Sequence, residues 1–220
     1  MKKKFVLVFV AILTLSLALV FTACNKDKTP SVESNVSREI SAFYVGENSN
    51  FAVSVEFGRR EKNFVADGVS REVVDMVELV IIPLKVHDCE EYAYTLKKDD
   101  CTLSGKVSGN EFGEYVAIVN LDFAPTSITI GEGDSAECID LVDVLEGMLT
   151  TADVINVAEK EFCDRIDGAK AEGNYKREIY VKLITGDRQN YYYYVSYVGE
   201  GVDYWALLIN PATGEIVSKR

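Results

Sequence analysis

Between residues 38 and 133 the chain repeats an apolar pattern with a period of two. Phe51, Val53, Val55 and Phe57 alternate with Ala52, Ser54 and Glu56, and Tyr115, Ala117, Val119, Leu121 and Phe123 keep the same spacing. Successive side chains of a strand point to opposite faces, so this spacing specifies half-buried antiparallel strands. Further strands are expected near 40–45, 62–66, 73–82, 91–97, 101–108 and 126–131. Gly46-Glu47-Asn48, Gly58-Arg59-Arg60, Gly109-Asn110 and Ala124-Pro125 supply breaks between them. Pro83 cannot donate to a ladder and should end a strand or lie on an edge. About seven or eight short strands at this spacing predict an antiparallel β-sandwich over 38–133 with immunoglobulin-like topology.

Residues 134–149 can be read in two ways. Leu141, Val142, Leu145, Met148 and Leu149 fit a helix face, yet Ile139-Asp140-Leu141 alternates. A helical connector is expected there. From 150 onward the signals sharpen. Thr150 with Asp153 three residues later forms a capping-box pattern. Val154, Val157, Ala158, Phe162 and Ile166 make one apolar stripe at helical spacing, and Gly168 is a plausible stop. Strands follow over Arg177–Thr185, Tyr191–Val198 and Asp203–Ile209, then a turn over Asn210–Gly214 and a last strand over Glu215–Ser218. The chain is therefore expected to be mainly β / α+β: a β-sandwich over 38–133, a connector over 134–149, and one helix packed on an antiparallel meander over 150–220. Helix, strand, Tyr-rich strand, strand and the closing Leu208-Ile209-Asn210-Pro211-Ala212-Thr213-Gly214-Glu215-Ile216-Val217 resemble a PepSY domain. The resemblance implies a small extracytoplasmic module that binds or modulates, with protease restraint among the family's roles. It implies no catalytic residue.

At the other end, Lys2, Lys3 and Lys4 precede a run from Phe5 to Phe21 that is apolar but for Thr14 and Ser16. That is the pattern of an export signal. Phe21-Thr22-Ala23-Cys24 is similar to a bacterial lipoprotein signal, although Leu usually stands where Phe21 does. The resemblance implies removal of 1–23 and acylation of Cys24. A plain signal cut near Ala23 and an uncleaved anchor helix are the alternatives. Residues 25–37, NKDKTPSVESNVS, read as a flexible polar tether, so 24–37 would hold the folded part off a membrane. Loss of the three lysines carries the net charge from −12 to −15. Such acidity argues against nucleic acid and against adhesion to anionic lipid headgroups by side-chain charge. Membrane attachment is then expected through the lipid on Cys24 alone, placing the protein in a bacterial cell envelope, outside the cytoplasm. More than one acyl chain suits stable anchoring.

Cys89, Cys101, Cys138 and Cys163 remain, an even number in an exported chain. A hairpin turning at Lys98-Asp99-Asp100 would set Cys101 opposite Leu96 or Lys97 and keep Cys89 out of reach. Cys138 with Cys163 stays possible, and buried free thiols are the simpler reading. His87 is the one histidine, which leaves little for nucleophilic or transition-metal chemistry. No cofactor or metal site is expected. Asp99-Asp100, Glu90-Glu91 and Gly131-Glu132-Gly133-Asp134 read as turn, surface and loop residues. The candidate binding surface is the aromatic run Tyr191-Tyr192-Tyr193-Tyr194-Val195-Ser196-Tyr197, where Tyr191, Tyr193 and Tyr197 share one strand face, together with Trp205. Core or interdomain interface is its competing role. The expected function is a non-enzymatic binding or modulating role towards a protein or peptide partner, such as a protease or envelope protein. A carboxylate-based envelope hydrolase and a passive surface or spacer lipoprotein are the alternatives.

Overall fold

The computed structural model of the protein describes residues 35–63, 65, 67–68, 71–85, 89–171, 177–185, 190–201 and 203–220. The export signal, Cys24, most of the tether and His87 lie outside these residues. The described elements are β1 (Val36–Glu47), β2 (Phe51–Glu61), β3 (Val73–Pro83), β4 (Glu91–Lys98), β5 (Cys101–Ser108), β6 (Tyr115–Val119) and β7 (Ser127–Ile130). Then come β8 (Glu137–Asp140), β9 (Val142–Asp143), α1 (Thr151–Glu161), α2 (Cys163–Ala171), β10 (Glu178–Thr185), β11 (Tyr191–Val198), β12 (Tyr204–Ile209) and β13 (Ile216–Lys219). The fold is mainly β, with a small helical part.

A large sheet runs in the order β13-β12-β11-β10-β1-β2-β3-β6, with β9 paired to β1, and a small sheet in the order β5-β4-β7-β8. Period-two alternation sends Val53, Val55, Leu79 and Ile81 of the large sheet against Tyr92, Tyr94, Leu96, Ile128 and Ile130 of the small one. All nine are buried, and this is the sandwich core. The strand order is not the immunoglobulin one. β1, β2 and β3 are successive neighbours in one sheet, whereas an immunoglobulin chain crosses over after its second strand.

The expected boundary between 133 and 150 does not divide the strands. β1 pairs antiparallel with β2 on one side and parallel with β10 on the other. The large sheet therefore runs across both segments, and Asn35–Arg220 form one compact unit. An edge of β10 left open by β11 needs partners for its N–H and C=O groups, and β1 supplies them. Residues 134–149 are not helical either. After a 3-10 turn at Gly133–Ser135 they form β8 and β9, because Ile139 and Leu141 bury themselves in the sandwich at alternating positions. Nor is the whole of 24–37 tether, since β1 begins at Val36 and Ser37 is fully buried.

Other differences have equally local causes. Gly58-Arg59-Arg60 does not break β2, which runs through it to Glu61, and Lys62 and Asn63 bend instead of starting a strand. A Cβ on Gly58 would run into the carbonyl oxygen of Glu39, where β1 shifts register between Ile40 and Ala42. The β4–β5 turn is two residues long, pairing Lys98 with Cys101, and Asp99 takes the left-handed region at φ 48°. Pro83 ends β3, as expected. The helical segment breaks at Phe162, not at Gly168, which lies inside α2.

The capping box is present. The Thr150 hydroxyl accepts from the Asp153 N–H at 3.2 Å, and the Asp153 carboxylate accepts from the Thr150 N–H at 2.9 Å. Thr150→Ala should lower stability by about 1 kcal/mol. Denaturant unfolding checks this, and an unchanged midpoint would mean that the cap contributes nothing.

Candidate binding face of the large sheet

Cross-strand register sets Tyr193 between Leu183 and Ile209, and Tyr197 between Ile179 and Trp205. The apolar stripe of α1, with Val154, Ile155 and Ala158 buried, then lies over this face and continues through Phe162 and Ile166. Tyr193 is 1% exposed and its hydroxyl donates to the Leu149 carbonyl at 2.9 Å. Burial, helped by Asp143 and Asp153, pushes its phenol up to about 12. Tyr197 is 0% exposed, edge-on to Phe162 at 5.6 Å between centroids. Tyr193 and Tyr197 are thus the floor beneath the helix and not a surface for ligands. A helix stripe needs an apolar bed, and these residues provide it.

Trp205 and Tyr191 lie at opposite ends of that bed, both half-buried. The Trp205 indole stacks on Tyr197 at 6.2 Å and lies beneath the Arg177 guanidinium at 3.9 Å, with Arg165 at 5.6 Å. Arg177 also ion-pairs with Asp203, so this end is a closed stack sealing the rim of the helix. Tyr191 instead meets Phe43 of β1 edge-on at 5.9 Å. There the helix cover ends and a groove of about 300 Å³ begins, lined by Phe43, Val45, Ala52, Ile82, Thr185 and Tyr191 among others.

From the groove the sheet face continues across β1, β2, β3 and β6. Pairing registers align Val45, Ser54, Val80 and Val116 in one row, with Ala52 and Ile82 beside it. The intervening residues Val53, Val55, Leu79, Ile81 and Tyr115 fill the sandwich core, so this row points the other way. A next row, Phe43, Glu56, Glu78 and Ile118, carries ion pairs Arg38–Glu56 at 2.8 Å and Arg60–Glu78 at 3.7 Å. Val116 is 37% exposed and Ile118 55%. The turn entering β6 holds Phe112 in solvent, with Asn110 Oδ1 accepting from the N–H groups of Phe112 and Glu114 at 2.9 Å each. An antiparallel sheet facing water on one side normally alternates apolar with polar. Here the water side is apolar or small at Val45, Ala52, Val80, Ile82, Val116 and Ile118. Neither a family model nor a curated protein nor a solved structure matches the chain.

Phe43, Val45, Val116 and Ile118 lie outside the tyrosine run that stands out in the sequence. Their signal was present: Val116 and Ile118 stand between the core residues of β6, where polar residues would be ordinary. A second cavity, about 440 Å³, opens at one end of the sandwich and is lined by Cys89, Glu91, Lys106, Glu132 and Glu137 among others. Its charges are engaged locally. Lys106 donates to Glu91 at 2.9 Å, and the Asn48 and Asn50 amides donate to Glu137 at 2.8 and 2.6 Å. Among the described residues no group of three His, Cys, Asp or Glu is placed to hold a metal, and no helix is long and apolar enough to cross a membrane. Cys89, Cys101, Cys138 and Cys163 are free and exposed, not buried. Cys101 opens the outer strand β5, and Cys138 lies on β8 beside the core residue Ile139, pointing away from it.

Proposed function

We propose that the protein is a lipid-anchored, extracytoplasmic binding or modulating protein that is not an enzyme, and that it engages a protein partner through the half of its large sheet that no described helix covers. The observation that carries this reading is the apolar water-side surface running from the Phe43–Tyr191 groove to Val116 and Ile118 at the β6 edge. Extended apolar surface of this kind marks interaction sites. The acylated Cys24 would hold the protein at the envelope. The PepSY-like order of 150–220 is compatible with a modulating role, protease restraint included. The strongly acidic chain favours a partner with a basic rim around its apolar contact.

The test uses fragment 25–220, which contains the whole described unit, as bait in envelope extract. Val116→Ser with Ile118→Ser should weaken binding of the captured protein roughly thirtyfold, as loss of an interface hot spot does. Its melting temperature should hold, since both side chains are already exposed. Equal capture by wild type and variant, or no capture by the wild type, would remove this reading.

A further inference from the structure

Two glutamates are buried where the two halves of the large sheet join. Glu61, the last residue of β2, is 0% exposed, and Glu178, the first of β10, is 1% exposed. In strand order β1 runs between them, with the fully buried Ser37 at its start. One oxygen of each carboxyl has a donor: the Arg71 N–H reaches Glu61 Oε1 at 3.1 Å, and the Tyr180 hydroxyl donates to Glu178 Oε2. The other two, Glu61 Oε2 and Glu178 Oε1, are buried, and among the described residues no donor reaches them. The Glu61 carboxyl is near enough to Glu178 to help hold the Glu178 carboxyl above its ordinary range.

Among the described residues the charged groups around the pair do not neutralise it. Asp67, on the loop after β2, adds a further negative charge and is itself paired with the Arg71 side chain. On β1, Arg38 is held by Glu56, and Lys182 on β10 feels Arg38 and Glu56. Arg177, just before β10, is turned towards Asp203 and Trp205. Two carboxylates this deeply buried and this near each other, with no cation beside them among the described residues, cannot both be ionised. A proton on Glu178 Oε1, donated to Glu61 Oε2, satisfies all four oxygens with one negative charge.

We propose that Glu61 and Glu178 share one proton and act as a proton-held clasp across the seam between β1 and β10, tight in mild acid and loosened as the pH rises. The seam is suited to such control. It is the one parallel pairing among the described strands, and its register shifts between its two aligned pairs, Val36 with Ile179 and Arg38 with Tyr180. Removing the proton leaves two charges that have to part, and the strand ends carrying them part with them.

Burial first, then the charges of Glu61 and Asp67, hold the Glu178 carboxyl above its ordinary range, against the lowering effect of the Tyr180 hydroxyl. A folded-state value above the unfolded one means that stability is fully present below the ordinary carboxyl range and is lost as pH rises through the folded value. The melting temperature of the full chain should therefore fall as the pH rises from mild acid to mildly basic, by about 3 °C or more. Glu178→Gln can donate an amide N–H to Glu61 and still accept from Tyr180. It should match the wild type near the lower pH, melt above it near the higher one, and flatten the profile. Infrared difference spectra near neutral pH should show a protonated-carboxyl C=O band in the wild type that Glu178→Gln removes. Should that variant fail to fold, Glu61→Gln serves for the same two readings. Parallel pH profiles, a wild type without the infrared band, or a calcium-induced rise in melting temperature that the variant lacks would each overturn the shared proton.

Discussion

Tyr197→Ala is expected to cost about 3–5 kcal/mol, the range for deleting a large aromatic ring from a core. The melting temperature should fall by roughly 10 °C for a unit of this size. The ring is fully buried, edge-on to Phe162 where α1 gives way to α2, and stacked beside Trp205 on the next strand. Its removal opens a void beneath the helix that the stiff neighbouring strands cannot close. Tyr191→Ala is the matched control, since its half-exposed ring touches Phe43 at the groove, and it should cost far less stability. A contact platform on the tyrosine strand requires the reverse outcome, lost binding with stability intact. Differential scanning calorimetry of both variants separates the two. If Tyr197→Ala melts with the wild type, the helix does not bury that ring and the packing described above is wrong.

Gly58→Ala is the smallest substitution expected to do comparable harm. It adds one carbon atom, and that atom meets the Glu39 carbonyl oxygen and the Ile40 backbone, neither of which can rotate away. The strands have to separate at the point where β1 shifts register, at a cost of about 1–3 kcal/mol. Gly168→Ala supplies the contrast. A Cβ there meets nothing within 4 Å, and the position is helical, so the same change should stabilise by about 0.5–1 kcal/mol. Chemical denaturation of the two variants should shift the midpoint in opposite directions. A shift of the same sign in both would mean that the close approach at Gly58 is not what limits the residue there.

Most of the strands could be read from sequence, because burying one face imposes a period of two on Phe51–Phe57 and on Tyr115–Val119. The stripe from Val154 to Ile166 gave the helical segment for the same reason, with a period near 3.6. What stayed hidden depends on partners far along the chain. Gly58 has the composition of a turn, and only the carbonyl of Glu39 explains why a strand needs glycine there. Ile139 and Leu141 suit either a helix or a strand, and the space beside β7 decides for the strand. The tyrosine run is apolar on both faces, so its spacing could not reveal which face a helix would cover. Neither Glu61 nor Glu178 stands out in sequence, since each is the end residue of an ordinary strand and their meeting depends on the order in which β2, β1 and β10 pair.

The seam between β1 and β10 also sets an order of events for a chain made from its N-terminus. Asn35 and Arg177, joined by a 3.0 Å hydrogen bond, stand 142 positions apart. Until β10 has been synthesised, one side of β1 beyond its short pairing with β9 has no partner among the described strands, although β2 and β3 can already have closed the other. Pairings between such distant segments form slowly, and an open strand edge invites association with other chains in the meantime. A fragment ending before β10 would expose that edge permanently, so shortening the chain from its C-terminus should yield an aggregating fragment well before the sandwich core is touched.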